Sequence, residues 1–391
     1  YGSYNTQKQA VHLSSGLMKD HWMVDARLTH IGSDGYVERG ATDLKSYFLQ
    51  GAYYNGRTVV KLLSFGGKAK TYLTYNGVSK EEMALYGRRY HTEGQYETSH
   101  GPYVLADGTH VDYYDDQTDN YTQTNAQLLI DHNFTNNLTL NVGLHYTKGD
   151  GYYQEYKSGR KFKEYDLPTY IVDGEEVKKS DLVRKKAMDN HFGGGVFALT
   201  YKNDKITATA GGGANYYHGK HFGQVLWVKN YTGHLAPNHE YYRNKGTKDD
   251  ANIYLKAEYR PISCLNIYAD AQYRHIGYRI DGNNDKWNDA TDSHQQLAVD
   301  EKFNFFNPKG GLSWQINSRN RLFASVGVAH KEPTRNNYTD GKLHEHPVAE
   351  RLIDYEAGYT YHGKLFTAGA NIYFMDYKDQ LVLTGELNEI G

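Results

Sequence analysis

Strict alternation of apolar and polar residues governs the stretch around residues 125–147. Leu138, Leu140, Val142, Leu144 and Tyr146 interleave with Thr139, Asn141, Gly143, His145 and Thr147. A period of two sends alternate side chains to opposite faces of a strand, and a helix with its 3.6-residue period cannot satisfy it. The run is about the 9–11 residues that a tilted strand needs to cross a bilayer. Just before it, Ala126, Leu128 and Ile130 oppose Asn125, Gln127 and Asp131, and Asn133-Phe134-Thr135-Asn136-Asn137 joins the two runs. A hairpin is predicted.

The same unit repeats. Trp22, Val24, Ala26 and Leu28 oppose Met23, Asp25, Arg27 and Thr29. Phe197 and Leu199 lead through Lys202-Asn203-Asp204-Lys205 into Ile206, Ala208 and Ala210. Ile253–Tyr259 and Leu265–Tyr273 flank Pro261-Ile262-Ser263-Cys264, Leu312–Ile316 and Leu322–Val328 flank Asn317-Ser318-Arg319-Asn320, and Ile353–Tyr361 and Phe366–Phe374 flank His362-Gly363-Lys364. Roughly fourteen strands are expected, within the range of bacterial outer-membrane barrels. On their inner faces lie Asp25, Arg27, Asp131, Lys256, Glu258, Asp270, Arg274, Asp354 and Glu356, charges suited to a wet lumen. Helix formers are not organised anywhere along the chain.

Connections separate a membrane barrel from a soluble sandwich. Every second one is a turn of about three to five residues, and the others run from about a dozen to about fifty, lengths uncommon in compact soluble domains. Short periplasmic turns on one end and long extracellular loops on the other are the asymmetry of an outer-membrane barrel. The reading is all-β: an antiparallel transmembrane β-barrel.

Composition agrees. There are 38 Tyr against 13 Phe, and 40 Gly against 7 Pro, in 391 residues, a profile of strands and turns rather than helices. Tyr also suits a surface passing from lipid to water. No apolar run approaches the 18 or so residues of a membrane helix, and the mean hydropathy of −0.78 is compatible with a barrel, in which only half of each strand need be apolar. A net charge of −2 without any basic block argues against nucleic acid. The single Cys264 supplies neither a disulfide nor a thiol metal site. No linker divides the chain, and Tyr1-Gly2-Ser3-Tyr4 already reads as strand, so a mature, trimmed or excised chain is expected.

Several segments, in order along nearly the whole chain, resemble the TonB-dependent outer-membrane receptors, especially ferric-chelate receptors of Bacteroidetes-like bacteria. They are Ser33-Asp34-Gly35-Tyr36, Thr118–Thr124, Tyr146–Lys157, His221-Phe222-Gly223, Phe306–Leu312, Lys331-Glu332-Pro333-Thr334-Arg335 and Asp354-Tyr355-Glu356-Ala357-Gly358-Tyr359. The resemblance implies a barrel of about 22 strands around a plug, with a TonB box through which an inner-membrane complex delivers energy. Neither plug nor TonB box is visible in residues 1–391, and no terminal aromatic strand precedes Gly391. The expectation is therefore a partial barrel domain lacking the N-terminal plug and the C-terminal strands, with two unpaired edges.

Candidate ligand contacts sit in the polar segments. Tyr86, Arg88, Arg89, Tyr90 and His91 gather cations and rings, and Arg pairs its planar fork with carboxylates such as those of a citrate-like chelate. Tyr152, Tyr153 and Tyr156 suit the interfacial girdle first and ligand contact second. His221, Trp227, Tyr241 and Tyr242, with His218, His234, His239 and Arg243 nearby, could hold a flat ligand, and Arg335 lies beside His344 and His346. Asp112, Asp115, Asp116 and Asp119 lack EF-hand spacing and read as solvated charge. No catalytic residue, metal site or cofactor is expected.

The implied function is an outer-membrane receptor importing a scarce solute, first a ferric siderophore or ferric citrate-like chelate, with outer-membrane lipid and, through the N-terminal region, the TonB complex as partners. A haem or cobalamin receptor of the same family is the alternative, and a passive porin the second. A barrel enzyme is disfavoured by the loop lengths.

Overall fold

Each hairpin expected from alternation is present. The computed structural model describes residues 1–339 and 347–382. Residues 1–6 form a tight turn closed by a Gly2–Thr6 bridge, not the strand their composition suggested. The first four strands follow as β1 (Gln7–Ser14), β2 (Trp22–Ser33), β3 (Thr42–Tyr54) and β4 (Thr58–Tyr72). A loop with helix α1 (Lys80–Tyr86) and the short strands β5 (Gln95–Glu97), β6 (Tyr103–Val104) and β7 (His110–Tyr113) leads to β8 (Thr118–Asn133) and β9 (Leu138–Lys161). A lobe containing a one-turn 3-10 helix (Phe162–Tyr165), β10 (Tyr170–Val172) and β11 (Glu175–Val177) precedes β12 (Lys179–Lys202). Then come β13 (Ile206–Val228), β14 (His239–Ile262), β15 (Leu265–Asn288), β16 (Ser293–Gln315), β17 (Asn320–Lys331), α2 (Arg335–Thr339), β18 (Glu350–His362) and β19 (Thr367–Lys378).

Fourteen of these strands form one sheet in the order β1-β2-β3-β4-β8-β9-β12-β13-β14-β15-β16-β17-β18-β19, every pair antiparallel. Among the described residues the sheet is open, with β1 and β19 at its edges. The registers carry the predicted faces: Leu128 opposes Leu144, Ala257 opposes Ala269 and Leu312 opposes Ala324. Outward residues stay exposed, Leu255 at 60 % and Leu144 at 50 %, a surface that lipid rather than protein covers.

Aromatic residues mark both rims of that band. At the short-turn end stand Trp22, Tyr53, Tyr201, Tyr259 and Trp314, with Trp22 and Tyr53 in contact at 4.8 Å. At the other stand Tyr146, Tyr216, and Tyr273 paired with Phe306. About nine residues separate the rims, roughly 20–25 Å for a strand tilted near 45°.

Above the outer rim the strands continue, and this departs from the sequence reading. β9, β12, β14 and β15 are 24 residues long, β13 and β16 23. Segments that read as long loops are therefore paired wall, and the β15–β16 connection shrinks to residues 289–292. With water on both faces, alternation has no lipid side to enforce it, so composition looks loop-like while backbone pairing continues. The loops at residues 73–117 and 162–178 remain long. α1 is a second departure: Ser79 caps it by accepting from the Glu82 backbone N–H, and the Glu82 carboxylate accepts from that of Ser79, a reciprocal box carried by Ser79-Lys80-Glu81-Glu82.

Candidate functional site

Above the lipid band the inner faces of the tall strands converge on a cluster of aromatic and charged side chains. Its roof is the 162–178 lobe, folded inward so that Phe162, Tyr165 and Leu167 pack on Leu182, Val225, Val228, Tyr241 and Tyr242. Tyr165 and Tyr241 lie 4.7 Å apart, and Tyr241 and Tyr242 meet edge to face at 5.1 Å. Gly223 is needed beneath them, because a Cβ there would come within 2.2 Å of the Tyr242 ring and 2.6 Å of the Tyr241 ring.

Below the roof, Arg184 donates through Nε to Glu155 at 2.7 Å and through Nη1 to the Tyr165 hydroxyl at 3.0 Å, and Lys157 approaches the same carboxylate at 3.0 Å. Burial alone would raise the Glu155 pKa, but Arg184 and Lys157 hold it below the ordinary carboxylate value. Lys186 pairs with Asp285 across the site and lies 5.8 Å from the Tyr153 ring.

The opposite wall is set by α2. Tyr338 packs against the cluster of Ile280, Leu297 and Val299, with Tyr278 at 5.7 Å. Ahead of it Glu332 bridges Lys248 at 2.5 Å and Arg274 at 3.1 Å, and Arg274 also clamps Asp250 at 2.5 Å. This framing directs Arg335 inward, where Nη2 donates to Asn244 Oδ1 at 2.7 Å. Tyr217, His221, Tyr242 and Tyr278 all feel its charge. Burial, then Arg335, lowers the His221 pKa to about 4, so the imidazole is neutral at pH 7. Arg184, Lys186, Lys248 and Arg274 each have a carboxylate. Arg335 has none within 4 Å among the described residues.

The structure thus brings together Tyr153, His221, Tyr241, Tyr242 and Arg335. It does not bring Tyr86–His91 to them. Tyr86 lies against Tyr90 at 4.5 Å with tilted rings, Arg89 Nε donates to the Tyr36 carbonyl at 2.8 Å, and buried His91 holds the Glu38 carbonyl at 2.5 Å while accepting from the Glu93 N–H at 3.1 Å. Burial, then Arg39, lowers the His91 pKa, which keeps it neutral as a strut between two loops. Arg88 is exposed. Tyr152 and Trp227 are on the outer face, Tyr152 under the Lys185 ammonium at 4.1 Å. Tyr152, Tyr153 and Tyr156 stand above the rim marked by Tyr146, so they do not belong to the girdle. Asp112 accepts from the Tyr96 hydroxyl at 3.4 Å and Asp116 faces Lys70 at 3.8 Å. Among the described residues no three His, Cys, Asp or Glu side chains gather as a metal set, and His344 and His346 lie outside those residues.

Residues 66–390 match the family described as TonB dependent receptor-like, beta-barrel. The chain belongs to this family. Solved receptors share the fold: the ferric-catecholate import receptor Fiu of E. coli K12, 12 % identical, with a TM-score of 0.57 over 95 % of this chain and 60 % of that one; the ferric citrate transporter FecA in its unliganded form, 11 % identical, 0.65 over 98 % and 51 %; and the copper transporter OprC, 11 % identical, 0.64 over 95 % and 51 %. No curated protein matches. The chain spans between half and about three-fifths of the length of these solved receptors.

For a TonB-dependent receptor barrel, the site residues overlooked in the sequence are Glu155, Arg184, Lys186, Tyr217, Asn244, Tyr278 and Asp285. A signal existed for Glu155. Counting inward from Thr139 to Thr147 by twos reaches Tyr153 and Glu155, and β9 keeps that parity through its pairing with β12. Asn244 and Asp285 become neighbours of the site only through register, which no local pattern encodes.

Proposed function

We propose that this chain is the ligand-facing wall of an outer-membrane receptor that captures an anionic ferric chelate, of the hydroxycarboxylate or siderophore type, and passes it inward by TonB-coupled movement of a plug carried elsewhere in the protein. The family assignment supports receptor over enzyme or passive porin. The inward charges Asp25, Arg27, Asp131, Lys256, Glu258, Asp270, Asp354 and Glu356 suit a lumen filled by hydrated protein. A copper transporter with the same fold leaves the solute to be read from the site.

The observation that carries the reading is Arg335. Of the guanidiniums at this site (Arg184, Arg274 and Arg335) it is the one with no carboxylate within 4 Å among the described residues, held by Asn244 at 2.7 Å and ringed by Tyr217, Tyr242, Tyr278 and neutral His221. A planar fork with donors to spare, among aromatic faces, suits the carboxylates or catecholate oxygens around a ferric centre. The test is binding of ferric citrate and a ferric catecholate to the full-length receptor. Loss of one charge-assisted contact, worth about 1.5–3 kcal/mol, weakens affinity about 10- to 100-fold in Arg335→Ala, with partial recovery in Arg335→Lys. Equal affinity in wild type and Arg335→Ala, or binding of neither chelate, overturns the proposal.

A further inference from the structure

On the outer wall, facing away from that site, Tyr156, Val183 and Trp227 share one face of β9, β12 and β13. The 95–116 part of the long loop folds down over them and brings Tyr96 and Tyr114. The result is a cleft of about 610 Å³, within the range of small-ligand sites. Tyr96 stacks on Tyr156 at 4.9 Å and 29°, while Trp227 at 6.2 Å and 33° and Tyr114 at 6.5 Å and 38° are tilted against it.

The tyrosine hydroxyls are already engaged. Tyr156 donates to Asp181 at 2.7 Å, Tyr96 donates to Asp112 at 3.4 Å, and Tyr114 accepts from Gln154. Tyr156 is buried at the base, and what the cleft offers is the exposed Trp227 ring with the half-buried Tyr96 and Tyr114 beside it. At its edge lie Glu97, Thr98 and Ser99. Among the described residues no hydrogen bond engages the Glu97 carboxylate, the Thr98 hydroxyl or the Trp227 indole N–H. The one lining cation, Lys229, is paired with Asp181 at 3.3 Å. Flat apolar faces beside neutral donors and a free carboxylate acceptor match a pyranose ring, which has an apolar C–H face and a rim of hydroxyls. They do not match a phosphate, which Glu97 would repel.

Height limits which membrane-borne groups can reach the cleft. Tyr156 lies ten residues beyond the rim residue Tyr146 on β9, roughly 23 Å at a 45° tilt. The headgroup layer on one side of a bilayer adds only about 5–8 Å to the hydrocarbon. Anything membrane-borne that reaches the cleft must be a long polar chain. We infer that this cleft binds neutral hexose units of the saccharide carried by the outer-leaflet glycolipid, and so ties the tall wall to the surface sugar layer independently of the solute it transports.

The test uses the full-length receptor in detergent and the core oligosaccharide released by mild acid from the glycolipid of the producing strain and then stripped of phosphate, with binding followed by saturation-transfer NMR. Saturable binding is expected, weakened at least tenfold in Trp227→Ala and in Tyr96→Ala and less in Trp227→Phe. Arg243→Ala, on the same outer face but outside the cleft, leaves it unchanged. Heat-modifiable migration on gels checks that each variant is folded. Absence of binding, binding indifferent to Trp227→Ala and Tyr96→Ala, binding only when phosphate is retained, or binding of free maltotriose but not of the core oligosaccharide each overturns the inference.

Discussion

His221 and Arg335 show how one contact sets another's chemistry. The His221 pKa is lowered to about 4, first by burial and then by the guanidinium, so the folded protein refuses a proton that the unfolded chain binds below its ordinary value near 6.5. Stability from the neutral ring is therefore complete above about pH 6.5 and is lost as pH falls toward 4. Thermal unfolding of the receptor between pH 4 and 7 should show this slope, and His221→Phe, which has nothing to protonate, should flatten it. Arg335→Ala should move the imidazole titration, followed by NMR, upward without restoring it fully, because burial remains. A titration unmoved in that variant would mean the cation is not where the structure places it. The pair was half legible: both residues stood among the sequence candidates, but their meeting depends on α2 docking through Tyr338 onto Ile280, Leu297 and Val299, a tertiary event with no local signature. Tyr86–His91 stand apart from that pair for the converse reason, since a cationic aromatic run serves equally well to brace one loop against the Glu38 and Tyr36 carbonyls.

Among the elements, the 162–178 lobe has two kinds of attachment. Lys163 reaches Asp289 and Asp292 at 3.0 Å each, but all three are exposed, and exposed pairs contribute about 0–1 kcal/mol. Phe162 is fully buried against Tyr170 at 5.8 Å and Tyr231 at 5.6 Å, and truncating such a ring costs about 3–5 kcal/mol. Hydrogen exchange should therefore find the lobe unchanged in Lys163→Ala and locally opened in Phe162→Ala, with β12 and β13 protected in both. Lobe opening in Lys163→Ala alone would show that the ion pairs, and not the aromatic cluster, hold the roof. Membrane-level hairpins were readable because lipid on one side forces period two, as in Leu138–Tyr146. The upper halves of β12 to β16 were not, because backbone pairing with water on both faces leaves sequence free to be polar throughout.

At the scale of the whole molecule, fourteen strands spaced by about 4.8 Å give an arc of roughly 65 Å measured across the strands. Its ends, β1 and β19, carry unpaired backbone groups on one side, and in hydrocarbon such groups cost several kcal/mol each. Two outcomes would remove that cost: β1 and β19 could meet, or further strands could complete the wall. The length comparison, in which this chain covers about half of solved receptors, favours the second, as does β19, whose residues are exposed on both faces where a strand paired on both sides would be partly covered. Val11 and Ile372 face outward on the two edge strands, opposite Leu28 and Ala357. With Cys264 replaced by Ser, cysteines at positions 11 and 372 should not form a disulfide in residues 1–391 reconstituted in lipid, and that chain should migrate identically before and after boiling. The full-length receptor should instead show the heat-modifiable band of a closed barrel. A high disulfide yield in residues 1–391 would mean that fourteen strands close on themselves, and the site under the 162–178 lobe would then open into a narrower, self-sufficient lumen with no room for a plug.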